Sequence, residues 1–132
     1  MRKKMVLLVD DDPTHLLMIA KPLKNAGYEV LEARDGVEAI RIARQETPDL
    51  MLLDLGLPGQ DGFAVMERLK MVSTTARIPV IVVSARDAAS VEADFRRSGA
   101  LAYLTKPVNV KALVNLVAQI LEGEGNRKQA HG

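Results

Sequence analysis

The sequence has no cysteine. That removes a disulfide framework, a thiol nucleophile and a cysteine-ligated metal together, and it agrees with a reducing compartment. Aromatic residues make up only 3%, so any core must be built from Leu, Ile, Val, Ala and Met. Charge of one sign is also lacking. The 18 Lys and Arg residues against 17 Asp and Glu leave a formal net charge of +1, with neither a basic surplus for nucleic acid nor an acidic tail. No apolar run approaches the ~20 residues of a membrane span. Arg2-Lys3-Lys4 ahead of Met5 to Val9 imitates a signal peptide, but the apolar run is short and meets three aspartates, which excludes that reading. The protein is expected in the cytoplasm.

What remains is apolar residues in a regular pattern. Hydrophobic residues are 48% of 132, enough for one domain with one substantial core. The pattern centres on Leu50-Met51-Leu52-Leu53-Asp54, four apolar residues followed by a carboxylate and then a Gly- and Pro-containing loop. A run apolar on both faces suits the middle of a parallel sheet covered by helices on each side. Similar runs occur at Met5 to Val9, Tyr28 to Leu31, Pro79 to Val83 and Leu101 to Leu104.

Helical spacing fills the intervals. Pro13 suits a first turn, with Asp12 as N-cap, and Leu16, Ile19, Leu23 and Ala26 follow at helical spacing, interrupted by Pro22. Gly27 stops that helix. Asp35-Gly36 opens a second helix with Val37, Ile40 and Ala43 on one face, closed by Thr47-Pro48. Phe63, Met66 and Leu69 outline a third, and Ser73 to Arg77 reads as a polar connection. Val91 and Phe95 belong to a fourth helix ending at Gly99, and Val110, Leu113, Val114, Val117, Ile120 and Leu121 give a fifth. The expected boundaries are one domain over 1–122 and a disordered polar tail over 123–132.

Five strands alternating with five helices predict a doubly wound α/β fold, a five-stranded parallel sheet with helices on both faces. Strand ends then share one edge. Asp10 and Asp11 follow strand one, Asp54 strand three, Ser84 strand four and Lys106 strand five. In the order 2-1-3-4-5, strands one and three are neighbours at the switch point, and the three carboxylates share a pocket with a hydroxyl and an ammonium. Crowded carboxylates repel unless a cation neutralises them, and a hard divalent ion such as Mg²⁺ fits oxygen ligands. A carboxylate beside such an ion, with Lys and Ser nearby, is what phosphoryl transfer to aspartate requires.

Together Leu8-Val9-Asp10-Asp11, Asp54-Leu55-Gly56-Leu57-Pro58-Gly59-Gln60-Asp61-Gly62, Val83-Ser84-Ala85 and Tyr103-Leu104-Thr105-Lys106-Pro107 resemble a response-regulator receiver domain. The resemblance is to the stand-alone chemotaxis type of two-component signalling and covers about Lys4 to Leu121. It implies the flavodoxin-like (βα)5 fold and a phosphoryl group passed to Asp54 from a histidine kinase or phosphotransfer protein. It further implies Mg²⁺ (with Mn²⁺ as a substitute) held by Asp11, Asp54 and the Gly56 backbone carbonyl, with Asp10 acting mainly through water. Ser84 would hydrogen-bond the phosphoryl group, Lys106 would pair with it, and the Lys106-Pro107 bond would be cis. Ser84 and Tyr103 would be switch residues. They would alter a surface of helix four, strand five and helix five that meets a downstream target or a second copy, with no direct nucleic-acid contact. Catalysis would be confined to the domain's own phosphorylation and dephosphorylation. Ser84 stands where the family often has Thr, Gly56 lacks a side chain at a position that often influences dephosphorylation, and Val108 replaces a frequent Phe.

Three rivals are weaker. Asp10-Asp11-Asp12-Pro13-Thr14 also resembles the Asp-x-Asp-x-Thr of haloacid-dehalogenase-type phosphatases, with Asp10 as nucleophile and Asp12 as general acid. That reading leaves the motif around Asp54 unexplained. A flavodoxin-like cofactor binder needs a Gly- and Ser-rich first loop, and this loop is acidic. A degenerate receiver kept as an interaction module would not need the full set of acids, hydroxyl and lysine. His15, without an acid or second His at i+4, reads as a solvated side chain, and His131 carries no role.

Overall fold

Apolar runs become five parallel strands: β1 (Met5–Val9), β2 (Glu29–Ala33), β3 (Leu50–Asp54), β4 (Val80–Ser84) and β5 (Ala102–Thr105). They form one sheet in the order β2-β1-β3-β4-β5, the expected order. This is a computed structural model; it describes residues 2–57, 59 and 61–131, with 124–131 described by backbone alone. Every residue of β1, β3 and β4 is buried, as strands covered on both faces must be.

Alternation along these strands divides the core. Leu7, Val9, Met51, Leu53, Val80 and Val82 point to one side with Ile40, Val65 and Leu69. Val6, Leu8, Leu50, Leu52, Ile81 and Val83 point to the other with Leu16, Leu23, Leu113 and Val117. The first side is covered by α2 (Gly36–Glu46), α3 (Gly62–Lys70) and α4 (Glu92–Ser98); the second by α1 (Pro13–Asn25) and α5 (Val110–His131). No described helix is long and apolar enough to cross a membrane.

Helix starts follow the sequence. Asp12, Asp35 and Asp61 occupy the N-caps of α1, α2 and α3, and their side chains accept from the N–H groups of Thr14, Glu38 and Phe63. Gly99 ends α4 with φ 80°, a left-handed conformation that favours glycine. Gly62 meets a different demand. A Cβ there would lie 2.9 Å from the Leu55 Cα and 3.0 Å from the Asp54 carbonyl oxygen, so α3 approaches the end of β3 only because no side chain intervenes. Gly62→Ala should therefore cost about 1–3 kcal/mol, read as a lower urea midpoint, because backbone atoms cannot yield as a flexible side chain would.

Several details depart from the expectations. Val37 is 70% exposed, and the buried face of α2 is Gly36, Ala39, Ile40 and Ala43. Ala26 is the exposed C-cap of α1 and takes no part in its buried face. Thr75 is buried in a four-residue helix, Ser73–Ala76, where a polar connection was expected. β2 starts one residue late because pairing begins at Met5 opposite Glu29. Leu101 precedes β5 and is 56% exposed. The backbone of α5 continues to His131; Gly132, part of the expected tail over 123–132, lies outside the described residues.

Tyr28 packs against the α1–α5 side of the sheet, and its hydroxyl donates to Glu122 Oε2 at 2.8 Å. Burial and the neighbouring Glu122 carboxylate push its phenol up to about 12. A raised folded-state value means that the neutral phenol is favoured by folding, so its stabilising effect is full below the ordinary tyrosine value of about 10. It is lost as pH rises from about 10 toward 12. Wild type should lose more stability than Tyr28→Phe across that window, measured by urea unfolding at each pH.

Candidate functional site

The carboxyl ends of the strands converge as the topology requires. Asp54 is the last residue of β3 and pairs in register with Val83; Ser84 ends β4 opposite Thr105. Beyond the strands the ladder continues: Asp10 N–H donates to the Ala33 carbonyl at 3.0 Å and Lys106 N–H to the Ser84 carbonyl at 2.8 Å. These backbone bonds fix where the acid and the ammonium emerge. The Lys106-Pro107 peptide bond is cis.

Asp54 uses both carboxylate oxygens. Oδ2 accepts from Lys106 Nζ at 2.6 Å and Oδ1 from the Gly56 N–H at 2.8 Å. Asp10 Oδ2 lies 3.4 Å from the same ammonium, and its Oδ1 accepts from the Asp12 N–H at 3.0 Å. Both acid side chains are under 10% exposed, and Lys106 is 24% exposed. Burial opposes charge on Lys106, but its hydrogen bond to Asp54 and the charges of Asp54 and Asp10 hold the ammonium above the ordinary lysine value. Burial likewise opposes ionisation of Asp10, yet the Asp12 N–H, His15 and Lys106 outweigh it and hold the carboxyl below its usual value.

Ligand oxygens of Asp10, Asp11 and Asp54 lie within 4.8 Å of one another. Lys106 reaches two of these carboxylates, Asp54 at 2.6 Å and Asp10 at 3.4 Å, and the remaining negative charge with an all-oxygen donor set fits a small hard divalent cation. The Ser84 side chain is buried at the end of the next strand, and its Oγ accepts from the Arg86 N–H at 3.1 Å. Tyr103 is half-buried; its ring stands edge-on to Phe95 with centroids 6.1 Å apart, and its hydroxyl donates to the Arg86 carbonyl at 2.7 Å.

A family model described as the response regulator receiver domain matches residues 6–118. The chain belongs to the response regulator receiver family.

Among relatives of the receiver is Protein PilH of Pseudomonas aeruginosa PAO1, 37% identical over 118 residues, spanning 89% of this chain and 98% of that one. The chemotaxis response regulator CheY4 of Vibrio cholerae is 28% identical, with a TM-score of 0.84 over 91% of this chain and 100% of that one. A third neighbour is the receiver domain of a Pseudomonas aeruginosa sensor histidine kinase, solved with magnesium coordinated in its active-site cleft. It is 27% identical, with a TM-score of 0.82 over 91% of this chain and 98% of that one. The protein is a phospho-accepting response regulator receiver with the flavodoxin-like fold, a part in two-component signalling rather than in metabolism.

The phosphatase reading is not favoured by the family match, and the general acid it requires is engaged elsewhere. Asp12 is committed to capping α1 through the Thr14 N–H.

The receiver also carries contacts that the sequence reading missed. His15 is not a solvated side chain: it is 15% exposed and its Nδ1 meets Asp10 Oδ2. Its partner lies five residues back, across the loop from β1, outside the i+4 spacing that marks a helical pair in a sequence. Arg86 joins three parts of the site mouth. Its N–H meets Ser84, its carbonyl receives Tyr103, and its guanidinium lies 3.9 Å from Asp61. Two of those three contacts use backbone atoms, which leave no mark in side-chain identity.

Proposed function

We propose that Asp54 is the phosphoacceptor of this receiver. The observation that carries the assignment is its double anchoring, Oδ2 on Lys106 and Oδ1 on the Gly56 N–H, at the mouth of the central strand. A carboxylate oxygen of Asp54 attacks phosphorus, the bond from phosphorus to the donor imidazole nitrogen of a phosphohistidine breaks, and an acyl phosphate forms. The imidazole leaves with the bonding electron pair. Lys106, already on Asp54, then follows the charge onto a phosphoryl oxygen. The Ser84 hydroxyl proton is free to donate to another, since Oγ serves as acceptor for Arg86.

Asp10, Asp11, Asp54 and the Gly56 carbonyl would hold Mg²⁺, or Mn²⁺ in its place, with Asp10 acting mainly through water. When bound, the ion supplies the charge neutralisation that lets an anionic phosphoryl group approach three carboxylates. Catalysis is limited to the domain's own phosphorylation and dephosphorylation. We take residues 1–122 as the receiver unit.

The donor is a histidine kinase or phosphotransfer protein. A groove of about 440 Å³ beside the site, lined by His15, Met18, Lys106, Pro107 and Val108, supports docking of such a partner next to Asp54. Met18 is 54% exposed there. Phosphorylation would draw Ser84 toward the phosphoryl group, release its bond to Arg86 and unsettle the Tyr103 hydroxyl, changing the surface of α4, β5 and α5 for a target or a second copy.

The test is treatment with acetyl phosphate with and without Mg²⁺, followed by mass spectrometric localisation. A Mg²⁺-dependent, hydroxylamine-labile adduct on Asp54 is the expected result. An adduct on Asp10 would overturn the assignment.

A further inference from the structure

A second charged feature lies away from the site. Between α2 and α3 an open groove of about 360 Å³ is lined by Val37, Ile40, Arg41, Arg44, Gln45 and Arg68. Its lining holds three guanidinium groups and no acid. Arg41 has local partners, Gln45 at 3.3 Å and Glu38 at 4.0 Å. Arg44 and Arg68 have no ion pair or side-chain hydrogen bond to any other described residue.

Each arginine alone has an ordinary explanation. Arg44 and Arg68 sit in the last turns of α2 and α3, where a cation complements the helix dipole. The dipole does not explain why cations from two helices line one groove, where they repel each other, nor why Val37 stands 70% exposed beside them. Guanidinium groups present planar forks that match carboxylates, and the aliphatic wall gives a neighbouring apolar side chain a seat.

We propose that the α2–α3 groove docks an acidic protein segment, its carboxylates received by Arg41, Arg44 and Arg68 and an aliphatic side chain seated against Val37. Nucleic acid fits less well, because a chain of net charge +1 has no basic stripe to follow a phosphate backbone. A membrane surface fits less well, because Val37 is the sole large apolar side chain of the lining that is strongly exposed.

Position gives the contact its use. α2 and α3 begin at the sheet edge that carries Asp54 and run back from it, so the groove extends from Val37 in the first turn of α2 toward Arg44 and Arg68 in the last turns of the two helices. None of its lining residues lines the groove beside Asp54 and Lys106, so a partner held here leaves that groove open. The contact is therefore available whether or not Asp54 carries a phosphoryl group. It does not depend on which residue is phosphorylated.

The probe is a fluorescein-labelled synthetic peptide of Glu and Leu residues at helical spacing, titrated with full-length protein at low salt and read by fluorescence anisotropy. Saturable binding is expected, weakened at least about tenfold in Arg44→Glu/Arg68→Glu. It should change less than about twofold in Lys21→Glu/Lys24→Glu, which alters net charge equally at exposed residues of α1, on the other face of the sheet. Amide shifts in a ¹⁵N correlation spectrum should map to α2 and α3. Arg44→Gln/Arg68→Gln replaces the reversed pair if that variant fails to fold, with loss of binding again expected. No saturable binding, equal weakening by both reversals, or shifts elsewhere would overturn the proposal. So would a single-stranded oligonucleotide that binds as tightly with the same dependence on Arg44 and Arg68.

Discussion

Asp54→Asn should abolish phosphoryl acceptance: no hydroxylamine-labile adduct from acetyl phosphate with Mg²⁺, and no transfer from a phosphorylated histidine donor. The loss is chemical rather than structural. An asparagine keeps an Oδ1 that can accept from the Gly56 N–H, and Lys106 still has Asp10 at 3.4 Å. What disappears is the carboxylate nucleophile, for which an amide oxygen is no substitute. Far-ultraviolet circular dichroism and the urea midpoint should stay close to wild type, which separates this outcome from unfolding. A variant that still labels on another residue, at a rate near wild type, would mean that the acceptor lies elsewhere among the acids at the strand ends.

Lys106→Met should have two effects that Mg²⁺ separates. Phosphoryl acceptance should fall about 100-fold or more, the usual scale for removing a positioned charge from a developing anion. Stability should fall too, because Asp54 and Asp10 lose the ammonium at 2.6 and 3.4 Å while Asp11 stays close by. Breaking a fully buried pair costs about 3–5 kcal/mol. Lys106 is 24% exposed, so about 1–3 kcal/mol is expected once solvent screening is allowed for. In EDTA the full loss should appear in urea unfolding. Added Mg²⁺ should recover part of it, because a divalent ion neutralises the same carboxylates, yet the rate of phosphoryl acceptance should not recover. Equal stability of wild type and variant in EDTA would show that the ammonium is not what balances the pocket.

The sequence reading reached the site because the chemistry sits on strand ends. In a parallel sheet those ends share one edge, so Asp10, Asp54, Ser84 and Lys106 were brought together as soon as five strands were recognised. The same logic placed β3 at the centre, where Leu50 to Leu53 are apolar on both faces. It did less well where one residue of register matters. Val37 has helical spacing with Ile40, yet it stands off the core, because the buried stripe of α2 is narrow and made of Gly36, Ala39, Ile40 and Ala43. His15 and Arg86 went unread for a different reason. Their partners are set by how a loop returns over the sheet edge, and local periodicity carries no information about that. Gly62 lay in a familiar motif, but its reason, the close passage of α3 over Leu55, is visible only in three dimensions.

The two tyrosines have a practical consequence. The chain has no tryptophan and only two tyrosines, and they occupy opposite ends of the signalling problem. Tyr28 is buried beside Glu122, whereas Tyr103 lies on the α4–β5 surface with its hydroxyl tied to the loop after Ser84. Replacing Tyr28 with Phe would leave a single tyrosine, at the joint proposed to respond to phosphorylation. Occupancy of the acceptor and movement of the switch then become separately recordable in an unlabelled protein, one by mass and the other by light.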